Sequence, residues 1–221
     1  MNITFWSDFN CPNSYIGLNR LKKAIDELKM DADWEMKPFE LHPTLFDTPT
    51  NSMTTAYTVK YGTSPDEANE AIAETEKIAR SEGLNINYKG VKLSSSKNAH
   101  RLVRYVQNKH PKKSLELIFK IYEANFTENE TIADINVLVK IAADINLDEN
   151  EIRKMLESDS YSLEVRLEEE EAIVMGIDAI PLYILNVNQE QLTVPGAFEK
   201  EDFKAAIRDM VSGEIESKTF I

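Results

Sequence analysis

The pattern of apolar and polar positions gives the chain two ends that carry strands and a helical middle. A short apolar run over residues 2–7 predicts a first strand. Apolar residues then recur at helical spacing between Ile16 and Leu28, which predicts a helix. Residues 33–41 predict a second strand. Two strands separated by one helix form a βαβ unit, so we expect these two strands to pair in parallel.

From about Thr54 to Met175 the chain has only helical patterns. The predicted helices cover residues 65–81, 96–108, 111–126, 135–144, 149–158 and 162–175. Strands return at residues 182–187 and 191–194, and Asn188 between them predicts a hairpin. Residues 199–211 predict a closing amphipathic helix.

This order of elements predicts an α/β protein with a thioredoxin-type core and an all-helical block between the second and third strands. The expected domain limits follow from the change of pattern. Residues 1–53 and 176–221 form a discontinuous thioredoxin-like domain, and residues 54–175 form the helical insertion.

The net charge of −13 argues against a nucleic-acid partner and against an anionic membrane surface, because like charges repel. No run of 18 apolar residues occurs, so we expect no membrane span. The first residues carry neither a basic region nor a long apolar run, which leads us to expect a cytoplasmic protein.

One cysteine is present, so no disulfide can form within the chain. Cys11 follows the first strand and precedes Pro12, a residue suited to the first turn of a helix. A thiol at a helix amino end faces free backbone N–H groups and the positive end of the helix dipole, and both should lower its pKa. Ser14 lies one turn later and can donate a hydrogen bond to the sulfur. The alternative is that Cys11 is only a small buried residue.

A second stretch with chemical meaning places Pro181 at the start of an apolar strand. Proline is unusual there unless it opens the strand or takes the cis form. A cis bond would turn the backbone of Ile180 outward, where it could pair with an extended substrate. The local residues leave the cis and trans forms equally open.

Several short motifs, taken in order, resemble DsbA-like thioredoxin-fold proteins of the FrnE group, which are related to 2-hydroxychromene-2-carboxylate isomerases and kappa-class glutathione transferases. The motifs are Ser7-Asp8, Cys11-Pro12, Tyr15-Ile16-Gly17, Pro38-Phe39-Glu40-Leu41, Asn98-Ala99-His100-Arg101, Tyr122 to Phe126, Gly176-Ile177 through Pro181, and Gly196-Ala197. The resemblance covers nearly the whole chain. It implies a thioredoxin fold with a helical insertion and a cis Pro181 beside the helix that carries Cys11.

The resemblance also supplies the candidate site. It implies Cys11 and Ser14 as catalytic residues, with a substrate-binding set around them. That set is Pro12, Asn13, Ile180, Pro181, Gly196, His100 and Asn98. The three histidines and one cysteine show no metal-ligand spacing, so we expect no metal site. We expect no tightly bound cofactor, although glutathione or another small thiol is a candidate cosubstrate. Because related proteins are often dimers, a homodimer is also considered.

Redox-active relatives carry Cys-Pro-Trp-Cys, whereas this chain has Cys11-Pro12-Asn13-Ser14. A dithiol cycle within the site is therefore excluded, but a single thiol can still form mixed disulfides with proteins or small thiols. The first functional hypothesis is thus a one-cysteine thiol–disulfide oxidoreductase. The alternatives are a glutathione-type transferase or isomerase centred on Ser14, and a non-catalytic binding protein with a degenerate redox site.

Overall fold

The computed structural model describes residues 1–49 and 51–213. Its elements in chain order are β1 (Asn2–Ser7), α1 (Pro12–Leu28), β2 (Asp33–Pro38), α2 (Met53–Tyr61), α3 (Pro65–Ser81), a short 3-10 helix (Tyr88–Gly90), α4 (Lys97–Lys109), α5 (Pro111–Phe126), α6 (Ile135–Asp144), α7 (Glu149–Leu156), α8 (Ser162–Val174), β3 (Leu182–Val187), β4 (Glu190–Pro195) and α9 (Lys200–Ser212). The predicted order, with a helical block between the second and third strands, is confirmed.

The strands of the described chain form one sheet in the order β2-β1-β3-β4. β1 pairs in parallel with β2, as predicted, and antiparallel with β3, which in turn pairs antiparallel with β4. β1 is therefore an inner strand. This position explains why consecutive side chains near its end, from Phe5 to Ser7, are all buried.

The second strand is shorter than predicted, since it ends at Pro38 rather than at residue 41. Its last pair joins Pro38 to Ser7, the final residue of β1, and the Phe39 N–H still donates to the Ser7 carbonyl at 3.2 Å. Beyond Ser7 the chain turns toward α1, so the parallel ladder between β1 and β2 ends at this pair.

The hairpin turn between β3 and β4 consists of Asn188 and Gln189, which have positive φ angles of 50° and 72°. Left-handed backbone at both central positions is typical of the two-residue turn whose twist matches that of the flanking strands. The hairpin predicted around Asn188 is confirmed.

Aromatic side chains fill the core between the sheet and its helices. The Tyr183 ring stacks on Phe5 with ring centres 5.9 Å apart, and the Phe203 ring of α9 meets it edge-on at 5.5 Å. All three side chains are fully buried. Helices α1 and α9 also pack against each other. Burial of such rings contributes roughly 2–3 kcal/mol each to folding.

The helical block contains α4, α5, α6 and α7 packed together, and α2 packed against α3. Ser64 begins α3 with a capping box, in which its hydroxyl accepts from the Glu67 N–H and the Glu67 carboxylate accepts from the Ser64 N–H. The sequence pattern gave no separate helix for Met53–Tyr61. Only Met53 of that helix is buried, so its apolar periodicity is weak.

The chain divides into two compact units. Among the described residues, one consists of Met1–Phe39 together with residues 167–213, and the other lies within Glu40–Arg166. The domain boundaries predicted from the sequence lie between residues 53 and 54 and between residues 175 and 176. In the structure the second limit falls inside α8, whose later part is tied to the sheet unit by an ion pair of 2.6 Å between Lys37 and Glu171.

Candidate functional site

Cys11 lies where the chain leaves β1 and enters α1. A tight turn delivers it there, because the Cys11 N–H donates to the Asp8 carbonyl at 3.1 Å and the Asn10 N–H donates to the Asp8 carboxylate at 3.2 Å. Cys11 is the N-cap of α1 with extended backbone, and Pro12 occupies the first turn. The predicted placement of the thiol at a helix amino end is confirmed.

The Cys11 sulfur is covered, and the residue is only 5% exposed. Its Sγ lies 4.0 Å from the carbonyl oxygen of Ile180, a residue 169 positions later in the chain. The peptide bond between Ile180 and Pro181 is cis. The turn before β3 therefore brings the backbone predicted to hold substrate directly beside the thiol.

The expected lowering of the Cys11 pKa is wrong. Burial strips water from the sulfur and raises the pKa of the Cys11 thiol above its usual value. Hydrogen bonding from the Ser14 hydroxyl and backbone acts in the opposite direction, whereas the nearby charge of Asp8 raises the pKa further. Desolvation is the largest of these effects, so it outweighs the stabilisation offered by the helix end.

Ser14 is fully buried, whereas Pro12 is half-buried and Asn13 is exposed. The Ser14 N–H donates to the Cys11 carbonyl at 3.2 Å, which fixes the first turn of the helix. Among the described residues its hydroxyl has no hydrogen-bond partner of standard geometry, yet it is close enough to Cys11 to lower the thiol's pKa. The Ser14 hydroxyl is thus available to donate a hydrogen bond when the Cys11 sulfur becomes charged.

The loop after β4 supports the cis-proline turn. The Gly196 N–H donates to the Pro181 carbonyl at 2.7 Å, and Gly196 has a φ of 85°, a conformation that glycine adopts without strain. Arg20 of α1 holds the same loop through a hydrogen bond of 2.9 Å to the Ala197 carbonyl and an ion pair of 2.7 Å with Glu199. A chain of polar contacts therefore connects α1 to Pro181.

A family model for a DSBA-like thioredoxin domain matches residues 2–208. The chain belongs to the DsbA-like thioredoxin family. The resemblance found from the sequence motifs is therefore confirmed at this level.

Individual proteins are also similar to this chain. The chain is 26% identical over 212 residues to an uncharacterized protein of Bacillus subtilis, YwbO, and the match covers 95% of this chain and 96% of the relative. A probable DsbA oxidoreductase from Streptomyces coelicolor superposes with a TM-score of 0.86 at 28% identity, over 100% of this chain and 94% of that one. A 2-hydroxychromene-2-carboxylate isomerase shares the fold, with a TM-score of 0.69 at 13% identity over 99% and 100% of the two chains.

The remaining candidates of this DsbA-like protein, Asn98 and His100, lie on α4 in the helical unit. His100 is 3% exposed. The Asn98 side chain accepts from the Arg101 guanidinium at 2.8 Å and donates to the Ala133 carbonyl at 3.4 Å. These contacts give Asn98 a role within the helical unit, and its expected contact with substrate stays a prediction.

Two side chains that shape the site were not among the residues singled out from the sequence. Arg20 shares the inward face of α1 with Gly17 and Ala24, and a charged residue on a buried face is a signal that it has a fixed partner. Tyr183 follows Pro181 by two residues, and its hydroxyl lies under α1 against Gly17. Its position depends on strand register, which the local sequence does not reveal.

The arrangement offers one ionisable thiol, two buried hydroxyls and the half-buried backbone of Ile180 at the start of β3. In the described part of the chain no three His, Cys, Asp or Glu side chains are grouped so as to hold a metal ion. None of the described helices is both long enough and apolar enough to cross a bilayer.

Proposed function

We propose that this protein is a one-cysteine thiol–disulfide oxidoreductase of the FrnE type, with Cys11 as its nucleophile. The observation that carries the proposal is the position of the Cys11 sulfur at the amino end of α1, 4.0 Å from the Ile180 carbonyl. An extended substrate whose backbone pairs with Ile180 would present its sulfur to Cys11. Asn13, exposed beside the thiol, and Gly196, behind the cis-proline turn, would complete the binding surface.

The reaction proceeds in two exchanges. The Cys11 thiolate attacks one sulfur of a substrate disulfide, so a new bond forms between Cys11 and that sulfur while the other substrate sulfur leaves as a thiolate and takes up a proton. A small external thiol, such as glutathione, then attacks the substrate sulfur as its thiolate. This step releases Cys11 as a thiolate and yields a disulfide of the small thiol with the first substrate sulfur.

The environment of Cys11 favours the reductive direction. A site that stabilises its reduced thiolate is a strong oxidant, because the thiolate is a good leaving group. Here burial destabilises the thiolate and raises the Cys11 pKa. Cys11 is therefore better suited to reducing a substrate disulfide than to oxidising substrate thiols. The physiological partners would be oxidised protein thiols or small mixed disulfides.

Because the chain has one cysteine, any thiol adduct maps to Cys11 without further analysis. The test follows turnover of a peptide–glutathione mixed disulfide with external glutathione, and it detects the Cys11 adduct by intact mass. We expect the Cys11→Ser variant to lose both the adduct and the turnover above background. A matched variant, Asn13→Ala, keeps the thiol and changes only the exposed neighbour, so it should retain the adduct. Turnover that survives in Cys11→Ser refutes the proposal.

One observation favours a second function, a glutathione-type transferase or isomerase. The Ser14 hydroxyl is buried without a standard hydrogen-bond partner among the described residues, as a group that awaits a ligand sulfur would be. In that case glutathione binding, measured by calorimetry, would survive Cys11→Ser and be lost in Ser14→Ala. Glutathione binding that is lost in Cys11→Ser and retained in Ser14→Ala supports the oxidoreductase instead.

A further inference from the structure

Arg20 is a buried charged residue on the inward face of α1. Its side chain is only 8% exposed, whereas the side chain of its ion-pair partner Glu199 is 65% exposed, and the two groups are 2.7 Å apart. A carboxylate so open to water is screened, so the pair returns little of what it costs to remove a guanidinium from water. The ion pair with Glu199 therefore does not by itself explain why the fold keeps a charge at this position.

A hydrogen bond to the loop after β4 offers the explanation. The Arg20 guanidinium donates to the Ala197 carbonyl at 2.9 Å. Ala197 follows Gly196, whose N–H donates to the Pro181 carbonyl at 2.7 Å. Helix α1 also approaches this loop closely, since a Cβ added at Gly17 would come within 3.1 Å of Ala197. Gly17 and Arg20 are neighbours on the helix surface, so α1 holds the loop at two adjacent points.

The cis-proline turn depends on this loop because the turn lies beyond the pairing between β3 and β1. That pairing begins at Leu182. Pro181 comes one residue earlier and has no N–H with which to extend the ladder. The bond from the Gly196 N–H to the Pro181 carbonyl therefore helps to fix the turn. The residue before Pro181 is Ile180, whose carbonyl oxygen lies 4.0 Å from the Cys11 sulfur.

We infer that Arg20 is a positioning residue that sets the Ile180 backbone against the thiol for an incoming substrate. Cys11 lies at the amino end of α1, and Arg20 reaches from the same helix to the loop that holds Pro181. One helix therefore determines the position of both the thiol and the cis-proline turn. The inference rests on the proposed function, in which the substrate backbone pairs with Ile180 while its sulfur meets Cys11.

Loss of the Arg20 guanidinium should affect substrates that use the Ile180 backbone and spare those that do not. A peptide substrate pairs with Ile180, so its rate of exchange reports on the position of the turn. A small disulfide without a peptide backbone reports only on the thiol and on access to it. The ratio of the two rates of exchange at Cys11 therefore isolates the contribution of the turn.

The test uses Arg20→Met in the full chain and follows by intact mass how fast the unmodified protein is lost as Cys11 forms a mixed disulfide. The two probes are a peptide–glutathione mixed disulfide and hydroxyethyl disulfide, at the same pH. We expect the peptide rate to fall about tenfold relative to the small-disulfide rate, because a displaced turn loses one backbone hydrogen bond to the substrate. Arg20→Lys keeps the charge but lacks the planar fork, so its ratio should fall less.

The matched control is Lys204→Met. Lys204 of α9 also connects to α1, through an ion pair of 2.7 Å with Glu27, but this contact does not involve the loop after β4. The ratio of rates should therefore be unchanged in the control. A ratio that is unchanged in Arg20→Met, or that falls equally in Lys204→Met, overturns the inference. Near-ultraviolet circular dichroism shows whether Arg20→Met is folded; if it is not, Arg20→Lys decides, and an unchanged ratio there overturns the inference.

This outcome is separate from that of the proposed function. Each probe reacts with the thiol in a single exchange, whereas the proposed function is tested by turnover in Cys11→Ser. Turnover that survives in Cys11→Ser refutes the oxidoreductase, and the ratio of rates in Arg20→Met still reports whether the guanidinium positions the turn.

Discussion

Gly17 sits in the middle of α1, where alanine would normally be the better helix former by about 1 kcal/mol. We nevertheless expect Gly17→Ala to destabilise the protein. A Cβ at this position would come within 2.7 Å of the Tyr183 hydroxyl and within 3.1 Å of both the Cα and the Cβ of Ala197. All three contacts are tighter than side chains tolerate without movement.

Neither neighbour can move away easily. The Tyr183 ring is held between Phe5 and Phe203, and the Ala197 backbone is held by the hydrogen bond from Arg20 at 2.9 Å. Overpacking of a well-filled core costs about 1–3 kcal/mol, which exceeds the gain in helix propensity. From the middle of that range the net loss is about 1 kcal/mol, with an upper limit of about 2 kcal/mol, or a fall in Tm of a few degrees for a chain of this size.

Urea unfolding followed by near-ultraviolet circular dichroism measures the effect, and a double-mutant cycle with Tyr183→Phe locates its cause. Removing the hydroxyl relieves the shortest contact and leaves the two to Ala197. The double variant should therefore recover part of the loss, with a coupling energy of about 1 kcal/mol. A Gly17→Ala protein as stable as the unmodified one, or a cycle with no coupling, would refute this account of the packing.

Three further predictions concern the thiol and the helical unit. Because burial raises the Cys11 pKa, the folded protein keeps a proton that the unfolded chain releases above about pH 8.5. Stability should therefore fall as pH rises through that value, and Cys11→Ala should flatten the fall in urea-unfolding curves. The Arg101 guanidinium donates to backbone carbonyls at the end of α7 and just beyond it, so Arg101→Met should cost roughly 3 kcal/mol in thermal unfolding. Ser14→Cys should release a small thiol bound to Cys11 without added reductant, because a second sulfur one turn along can attack it; an adduct that persists by intact mass contradicts this.

The sequence predicts elements wherever one segment determines them. The apolar periodicity of α5 reproduces its observed limits, Pro111–Phe126, and Asn188 marks the hairpin turn. The strand, cysteine and proline in succession place Cys11 at the amino end of α1. In each case the signal lies within a few residues of the feature.

Features that depend on distant residues are predicted only in part, since the sequence predicts the parallel pairing of β1 with β2 but not the cover over the thiol. The cover over Cys11 comes in part from Ile180, a residue 169 positions away, and this burial reverses the expected direction of the pKa shift. The end of β2 at Pro38 depends on where β1 stops. The local sequence gives the helix end and its favourable dipole, but it does not give the desolvation that outweighs them.

The balance of these effects bears on how a covered thiol can serve in exchange. Desolvation penalises only the ionised form of Cys11, so the thiol and the mixed disulfide, which are both neutral, are spared. The Ser14 hydroxyl acts on the opposite form, since a hydrogen bond to sulfur is strongest when the sulfur carries charge. A site that combines burial with a hydroxyl donor keeps the resting Cys11 thiol protonated. The donor also limits how far burial slows the attack of the thiolate on a disulfide. The serine at position 14 can donate a hydrogen bond but cannot displace a bound sulfur, so the mixed disulfide should persist until a second thiol arrives.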